Sequence, residues 1–359
     1  MAKGFLSKLF APKAEAILGV DIASTAVKVV ELSGRNASSV ELSGYVIEPL
    51  PKEAITDGNI VNVDMVAEAV RRARRKLGSR TKNAATCLPS GMVFSKKVPK
   101  PADLSDDDLE FQIEADANQY VPFPLDEVNI DYQVLGPVKG VEGEVEVLLS
   151  AARKEKIEER VASLEASGLK AKVVDVDSYA IQAAYGYLAA QLPRQGSGQN
   201  IAVFDIGAGT TRLYVMHEGE MVFSRESSFG GNQLTQDIQR AFNMTSEEAE
   251  AAKVDGGLPS NYESDVLKPF IDTLAIELSR ALQFFFTSTS SQQIDHVFLG
   301  GGCSRIIGLP EAVARRTNVH TTVANPFAGM PAGKAAKGAT KDAPALLTAC
   351  GLAMRRFPA

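Results

Sequence analysis

The chain has 359 residues, a length for two or three domains and several buried cores. Hydrophobic residues make up 45% and charged residues 23%, the ordinary balance of a soluble globular protein. A formal net charge of −6 argues against non-specific nucleic-acid binding, because no global field draws phosphates. Cys87, Cys303 and Cys350 are too scattered for a disulfide framework, and with His217, His296 and His320 they make no zinc spacing. A reducing, cytosolic setting is the expectation. No apolar run approaches the roughly 18 residues of a membrane span.

The first 13 residues are basic but lack the long apolar centre of a signal peptide. Phe5, Leu6, Leu9 and Phe10 offer one apolar face between Lys3 and Lys8, which either packs on the domain or frays, or else touches a membrane. Ile17 to Ile22 then reads as a strand that ends at Asp21, followed by the turn Ala23-Ser24-Thr25, Lys28 and a second apolar strand. Arg71 to Lys76 is the one basic run. Val66, Ala69, Val70 and Ala73 recur at helical spacing beneath it, so the charges form a solvated helix face, with an anionic contact as the alternative.

Ser105 to Asp108 offers a capping box ahead of a helix reaching about Gln119, which Val121-Pro-Phe-Pro124 stops. Val128 to Leu135 and Val145 to Ala151 read as strands. A further helix carries Ile157, Val161 and Leu164 on one face and has Gly168 beyond its end. One α+β insert over 85–166 is the economical reading. Gln191 to Gln199 is a polar linker, and 329–343 is a second loose stretch rich in Gly, Ala and Lys.

After the linker, Ile201 to Tyr214 repeats Ile17 to Val30 without a gap, 184 positions later. The second copy, Asp205-Ile-Gly207-Ala-Gly209-Thr210-Thr211-Arg212, has the two glycines that the first replaces with Ala23 and Thr25. Small residues after a strand let backbone N–H groups approach phosphate oxygens, and Ser or Thr hydroxyls add donors. A strand-ending Asp can hold a hydrated magnesium ion. Either copy alone reads as a plain hairpin. The matched pair reads as two loops clamping a nucleoside polyphosphate from opposite sides.

Gly230 and Gly231 either bring a turn near those phosphates or simply start a helix. Glu250 and Lys253 lie three apart on one helix face and on spacing alone read as a solvated ion pair. Val297 to Pro310 reads as a buried strand, a glycine turn at Gly300-Gly301-Gly302, and a helix opening near Pro310. Three glycines permit a flat base against the backbone, where Arg305 could stack. The phenylalanines at 284–286 read as core at a junction.

In this order the elements resemble the actin-like ATPase superfamily, which includes actin, the Hsp70 chaperones, sugar kinases and FtsA. The two Asp loops resemble its phosphate motifs, and Gly300 to Arg305 its adenosine motif. Val174 to Tyr185 resembles its first connecting helix and Ala349 to Met354 its second. Within the superfamily the chain is similar to the PilM family of type IV pilus assembly proteins, through Gln119 to Val128, Gly230 to Ile238 and Glu277 to Phe286.

The resemblance implies an α/β actin-like ATPase fold: two duplicated, RNase H-like halves in four subdomains, with an FtsA-like insert. The expected division is a tail at 1–15, a first core at 16–84, 167–192 and 344–359, and an insert at 85–166. A second core at 193–228 and 287–343 and a small subdomain at 229–286 complete it. ATP and magnesium are the implied cofactors. Asp21, Ser24, Thr25, Lys28, Asp205, Gly207, Gly209, Thr210, Thr211, Gly230 and Gly231 would surround the phosphates, with Asp21 and Asp205 holding magnesium through water. Glu250, Lys253, Gly300, Gly301, Gly302, Ser304 and Arg305 would surround the adenosine. Asp177 matches the acidic position that orients the attacking water in hydrolysing relatives; it reads equally as a helix N-cap, and Asp175 competes for the role.

The family also implies a partner, the short cytoplasmic N-terminal tail of the membrane protein PilN, held in a groove beside the insert. Its neighbours are the pilus assembly and retraction motors, at the cytoplasmic face of the inner membrane. Two other classes stand beside this platform. A sugar kinase or sustained ATPase would need a base and a second-substrate pocket, for which no His or Asp motif is evident. An FtsA-like filament former would need a C-terminal membrane helix, whereas 346–357 follows the second connecting motif without a linker.

Overall fold

The computed structural model describes residues 15–36, 39–291, 293–336 and 338–357, so the apolar tail read at 5–10 lies outside the described residues. Three strands open the chain as an antiparallel meander: β1 (Ile17–Ile22), β2 (Ala26–Ser33) and β3 (Glu41–Pro49). A two-residue pair, β4 (Ile55–Thr56) and β5 (Asn59–Ile60), leads into helix α1 (Val63–Leu77). Asn62 caps α1 by accepting from the Met65 amide at 3.0 Å, and Gly78 ends it at φ 69°. Val66, Ala67, Ala69, Val70 and Ala73 are buried, as the spacing predicts. The basic run above them is held internally: Arg72 and Lys76 donate to Glu48 at 2.7 and 2.6 Å, while Arg71 and Arg75 reach Glu68.

Strand β6 (Asn83–Leu88) joins β1 in parallel. The insert follows, with β7 (Val93–Pro101), α2 (Asp106–Tyr120), β8 (Val128–Pro137) and β9 (Glu144–Arg153). Ser105 caps α2 through the Asp108 amide at 3.2 Å. The three strands form a separate sheet in the order β7-β9-β8, and Leu109, Ile113 and Ala117 of α2 close a small core over it.

Next come α3 (Lys154–Ala166), β10 (Lys170–Val176) and α4 (Asp177–Ala189). The insert is narrower than the expected 85–166. Strand β6 pairs with β1 and β10, and Leu164 of α3 joins the core beneath α1, so both elements belong to the first half.

The second half repeats the plan with β11 (Asn200–Ile206), β12 (Thr211–His217) and β13 (Glu220–Ser227), then α5 (Gly231–Phe242), α6 (Ser246–Asp255) and α7 (Lys268–Ser288). On α7, Phe285 is buried while Phe284 is 46% exposed, so the aromatic run is only partly core. Strand β14 (His296–Gly300), α8 (Leu309–Thr317) and β15 (Thr321–Val323) complete the half, and β16 (Ala332–Ala335), α9 (Ala339–Asp342) and α10 (Leu347–Met354) close the described chain.

The first sheet runs β10-β6-β1-β2-β3-β16 and the second β13-β12-β11-β14-β15. Apart from β16, the two orders superpose: an antiparallel meander, then two parallel strands on its first member. Helices α4 and α10 lie between the sheets. Ile181, Ala184 and Leu188 of α4 and Leu347, Cys350 and Ala353 of α10 share one core with Val30 of the first sheet and Val203 and Tyr214 of the second. The crossing is close because Gly351 has no side chain: a Cβ there would sit 1.7 Å from the Ala180 carbonyl oxygen. Gly19 does the same beneath α10, where a Cβ would sit 2.0 Å from the Ala349 oxygen. Among the described residues no helix is long and apolar enough to cross a membrane.

Candidate functional site

The duplicated loops occupy matching places at the ends of β1 and β11. In the first hairpin Asp21 lies opposite Lys28; in the second Asp205 lies opposite Arg212. Lys28 Nζ donates to Asp21 Oδ2 at 3.1 Å. Burial disfavours the charged lysine, but the Asp21 and Asp205 carboxylates outweigh it and raise its pKa above the ordinary value, so one cation serves both loops. Burial lifts the Asp205 carboxyl above the usual range, with Lys28 and Arg212 holding it down and Asp21 adding to the rise. The two expected carboxylates thus face a common cation-balanced space.

Ser24 and Thr25 sit exposed on the first loop. In the second, the Gly207 amide donates to the Thr210 carbonyl at 2.9 Å, closing the turn. The amides of Ser24, Thr25, Ala208, Gly209 and Thr210 donate to no protein acceptor among the described residues, which leaves a row of N–H groups beside the carboxylates. Thr211 is different: it is buried, and its hydroxyl donates to the Phe229 carbonyl at 2.7 Å. That bond ties the loop to the turn before α5 and spends the donor expected for phosphate.

Gly230 and Gly231 pack directly on the loop. The Gly231 amide donates to the Gly207 carbonyl at 3.0 Å and the Asn232 amide to the Ala208 carbonyl at 2.7 Å. A Cβ at Gly230 would lie 2.6 Å from both carbonyl oxygens, so only glycine admits this approach. Glu250 and Lys253 of α6 form their ion pair at 2.6 Å and both bond the Thr235 hydroxyl, at 2.6 and 2.8 Å. The pair therefore borders the same end of α5.

Gly301 has φ 82°, and a Cβ on it would come 2.3 Å from the Ile206 carbonyl oxygen. The turn Gly300-Gly301-Gly302 thereby lies against the second loop's strand, with Gly302 exposed. Ser304 is buried and donates to the Gly301 carbonyl at 2.7 Å, a structural bond. Arg305, expected to stack on a base, instead donates to Asp342 at 2.7 Å, and Asp342 also accepts from Tyr45 at 3.0 Å. Across the opening, Lys52 of the first half bonds Ser246 and Glu247 of α6 at 2.6 and 2.8 Å, an exposed tie between the two sides.

Asp177 opens α4 with its carboxylate engaged on both oxygens. Oδ1 accepts from the Ser90 amide at 3.0 Å, and Oδ2 lies 3.4 Å from Arg212 Nε. Burial pushes its pKa up to about 6, against the pull of Arg212 and of its bonds to Ser90. Arg212 also donates to Glu226 at 2.6 Å, and the nearby carboxylates hold it firmly protonated. Asp175, the competing acid, is paired with Arg355 at 2.6 Å. Sequence reasoning missed Arg212, Glu226 and Ser90 as a group; only the position of Arg212, matching Lys28, was visible.

A second concavity lies beside the insert. It encloses about 470 Å³ and is lined by Asn59, the stretch Gly91–Phe94, Phe123, Arg153 and Lys156. Strand β7 pairs only with β9 among the described strands, and its first residues, Val93 and Phe94, line this groove. Arg153 lies over the Phe123 ring at 5.3 Å. Behind the groove the buried Arg160 guanidinium donates to the Ile22 and Gly58 carbonyls at 3.2 and 3.3 Å, joining the first loop's strand to the groove wall near Asn59.

Residues 19–357 match the family described as type IV pilus assembly protein PilM. The chain belongs to the PilM family. Among solved structures, the one titled PilM-PilN type IV pilus biogenesis complex superposes with a TM-score of 0.80 at 25% identity, over 97% of this chain and 100% of that one. An ethanolamine utilization protein EutJ from Carboxydothermus hydrogenoformans shares the fold at a TM-score of 0.54 and 17% identity, over 95% of this chain and 90% of that one. Cell division protein FtsA of Bacillus subtilis is 23% identical over 261 residues, and that of Rhizobium meliloti 31% over 182 residues. These matches cover 67% and 42% of this chain but only 57% and 39% of the FtsA proteins, so the chain spans about half the length of the curated relatives it matches. PilM membership and the twin-sheet architecture together establish the actin-like ATPase fold.

Proposed function

We propose that this chain is a platform of type IV pilus assembly that binds ATP between its two halves and the cytoplasmic N-terminal tail of PilN in the groove beside the insert. In that role it stands at the cytoplasmic face of the inner membrane and links the pilus motors to the membrane alignment complex. The observation that carries the reading is the groove itself. The strand Val93–Phe94, which has an unpaired edge, and a lining of Met92, Phe123 and Arg153 suit an extended apolar peptide that adds as a strand. The PilM relative solved with PilN covers this chain almost end to end, the insert included.

The cleft residues fit a magnesium-bound nucleotide. Asp21 and Asp205 would hold the ion through water, and the amides of Ser24, Thr25 and Ala208–Thr210 would take phosphate oxygens. Glu250, Lys253 and the Gly300–Gly302 turn would border the nucleoside. The bound nucleotide supplies negative charge and oxygen acceptors, and this chain's part is to neutralise and orient them with Lys28 and the loop amides. Asp177 is a poor base for an attacking water because both oxygens are already engaged. Slow or absent turnover follows.

The test is an equilibrium titration of a fluorescent peptide carrying the PilN tail of the same organism, with and without Mg-ATP, on wild type and Asp205→Ala. Saturable binding to wild type, with a nucleotide effect that Asp205→Ala loses, is the expected result. A wild-type chain that binds no tail in either condition overturns the reading.

A further inference from the structure

Two sites on one molecule respond to each other only through an element that both can bias. Such an element lies between the cleft and the groove. Arg212 is the ladder neighbour of Asp205, on the outgoing strand of the second loop. Its guanidinium pairs with Glu226 and Asp177 while staying within electrostatic reach of Asp205. Asp177 belongs to the first half and receives the amide of Ser90. Ser90 starts the turn Ser90–Met92, and the groove wall Gly91–Phe94 follows at once. Glu226 reaches the same turn from the second half, its Oε1 3.9 Å from where a Gly91 Cβ would stand.

We propose that Arg212, Asp177 and Ser90 form a relay across the two halves, through which occupancy of the nucleotide cleft sets the shape of the peptide groove. The inference rests on the platform reading and deepens it by naming the positioning residues. A phosphate-bearing ligand beside Asp205 changes the charge that Arg212 faces, and Arg212 holds the far side of the carboxylate that fixes Ser90. Movement of the β12–β13 hairpin therefore reaches the groove wall through Arg212 and the Asp177 carboxylate that holds Ser90.

A further buried group completes the element. The buried Tyr214 hydroxyl lies beside the Ser90 side chain and within electrostatic reach of Asp177, Arg212 and Asp205. Other charges that face Asp177 are Arg160 and, across the cleft, Asp205. Arg160 is held by backbone carbonyls of the first half and stays with that half.

The experiment compares tail affinity with and without saturating Mg-ATP in wild type, Arg212→Gln, Ser90→Pro and Ser90→Ala. Ser90→Pro deletes the amide donor at the first position of a helical turn, where proline's backbone angle is accommodated; Ser90→Ala keeps the amide and removes only the hydroxyl that also neighbours Asp177. Mg-ATP should change wild-type tail affinity by about 5-fold or more, the usual size of coupling between sites. The ratio should fall below about 2-fold in Arg212→Gln and Ser90→Pro, and fall less in Ser90→Ala, which keeps the amide. Each variant's Mg-ATP affinity and thermal unfolding are recorded alongside, so a folding defect in one variant leaves the other to decide. A ratio near one in wild type, or one that survives both Arg212→Gln and Ser90→Pro, overturns the relay while tail binding still supports the platform. Absence of tail binding to wild type defeats the platform reading and the relay together.

Discussion

Replacing Asp177 with Asn tests whether the carboxylate between the halves carries its charge at a cost. Its pKa rises from the ordinary 3.8 to about 6, burial being the largest cause and Arg212 the main opposing charge. At about 1.4 kcal/mol for each tenfold change in the equilibrium, ionising it costs the folded chain about 3 kcal/mol more than the unfolded one. The folded state therefore binds more protons than the unfolded state between about pH 4 and pH 6. Stability from this group is fully present below the unfolded value and is lost as pH rises through the folded one. Asn cannot ionise, and in Asp177→Asn the Arg212 guanidinium keeps Glu226 as its partner. The charges facing the site, namely Arg212, Arg160 and Asp205, are common to both proteins, as are the Tyr214 and Cys87 side chains. Urea unfolding of the nucleotide-free proteins in steps from pH 5 to pH 7.5 should show Asp177→Asn gaining on wild type by roughly 1.5 kcal/mol, about half of the full effect. Parallel stability curves would refute the argument that burial, rather than the ion pair with Arg212, dominates this carboxyl.

Two further substitutions follow from the packing. Gly351→Ala forces a methyl into the Ala180 carbonyl, 1.7 Å away on the crossing helix, with backbone rather than a flexible side chain as the obstacle. It should destabilise by about 3 kcal/mol or more, seen as a fall of several degrees in the unfolding temperature, and an unchanged melt would contradict the tight crossing of α4 and α10. Phe123→Ala removes the aromatic floor of the groove and the ring beneath Arg153. It should weaken tail binding about 10-fold or more while Mg-ATP affinity holds, the size expected for a buried aromatic anchor; equal tail affinity would place the peptide elsewhere.

The duplicated hairpins were legible because each is local: an apolar strand, an Asp, small residues and a basic residue at a fixed interval. Their register, Asp21 opposite Lys28 and Asp205 opposite Arg212, follows directly from that interval. The limits of the insert were not legible. An apolar strand such as Ala84–Leu88 shows that it is buried but not which sheet buries it, and the apolar face of α3 does not say that α1 covers it. The glycines at 230, 231, 301 and 351 appear in the sequence only as permissive residues; which backbone approaches them is decided by elements far away in the chain. The same holds for Arg212, whose partners Asp177 and Glu226 lie in different halves, and for Arg305, which Asp342 claims. Side-chain pairs across a domain boundary have no periodicity for a sequence to display.

The most direct test of the account is a crystal structure of the full chain grown with the PilN tail peptide, magnesium and a non-hydrolysable ATP analogue. The account predicts the peptide extended along the edge of β7, against Gly91–Phe94 and Phe123, with the nucleotide phosphates between the Asp21 and Asp205 loops. A peptide bound away from that edge, or phosphates bound away from both loops, would contradict it.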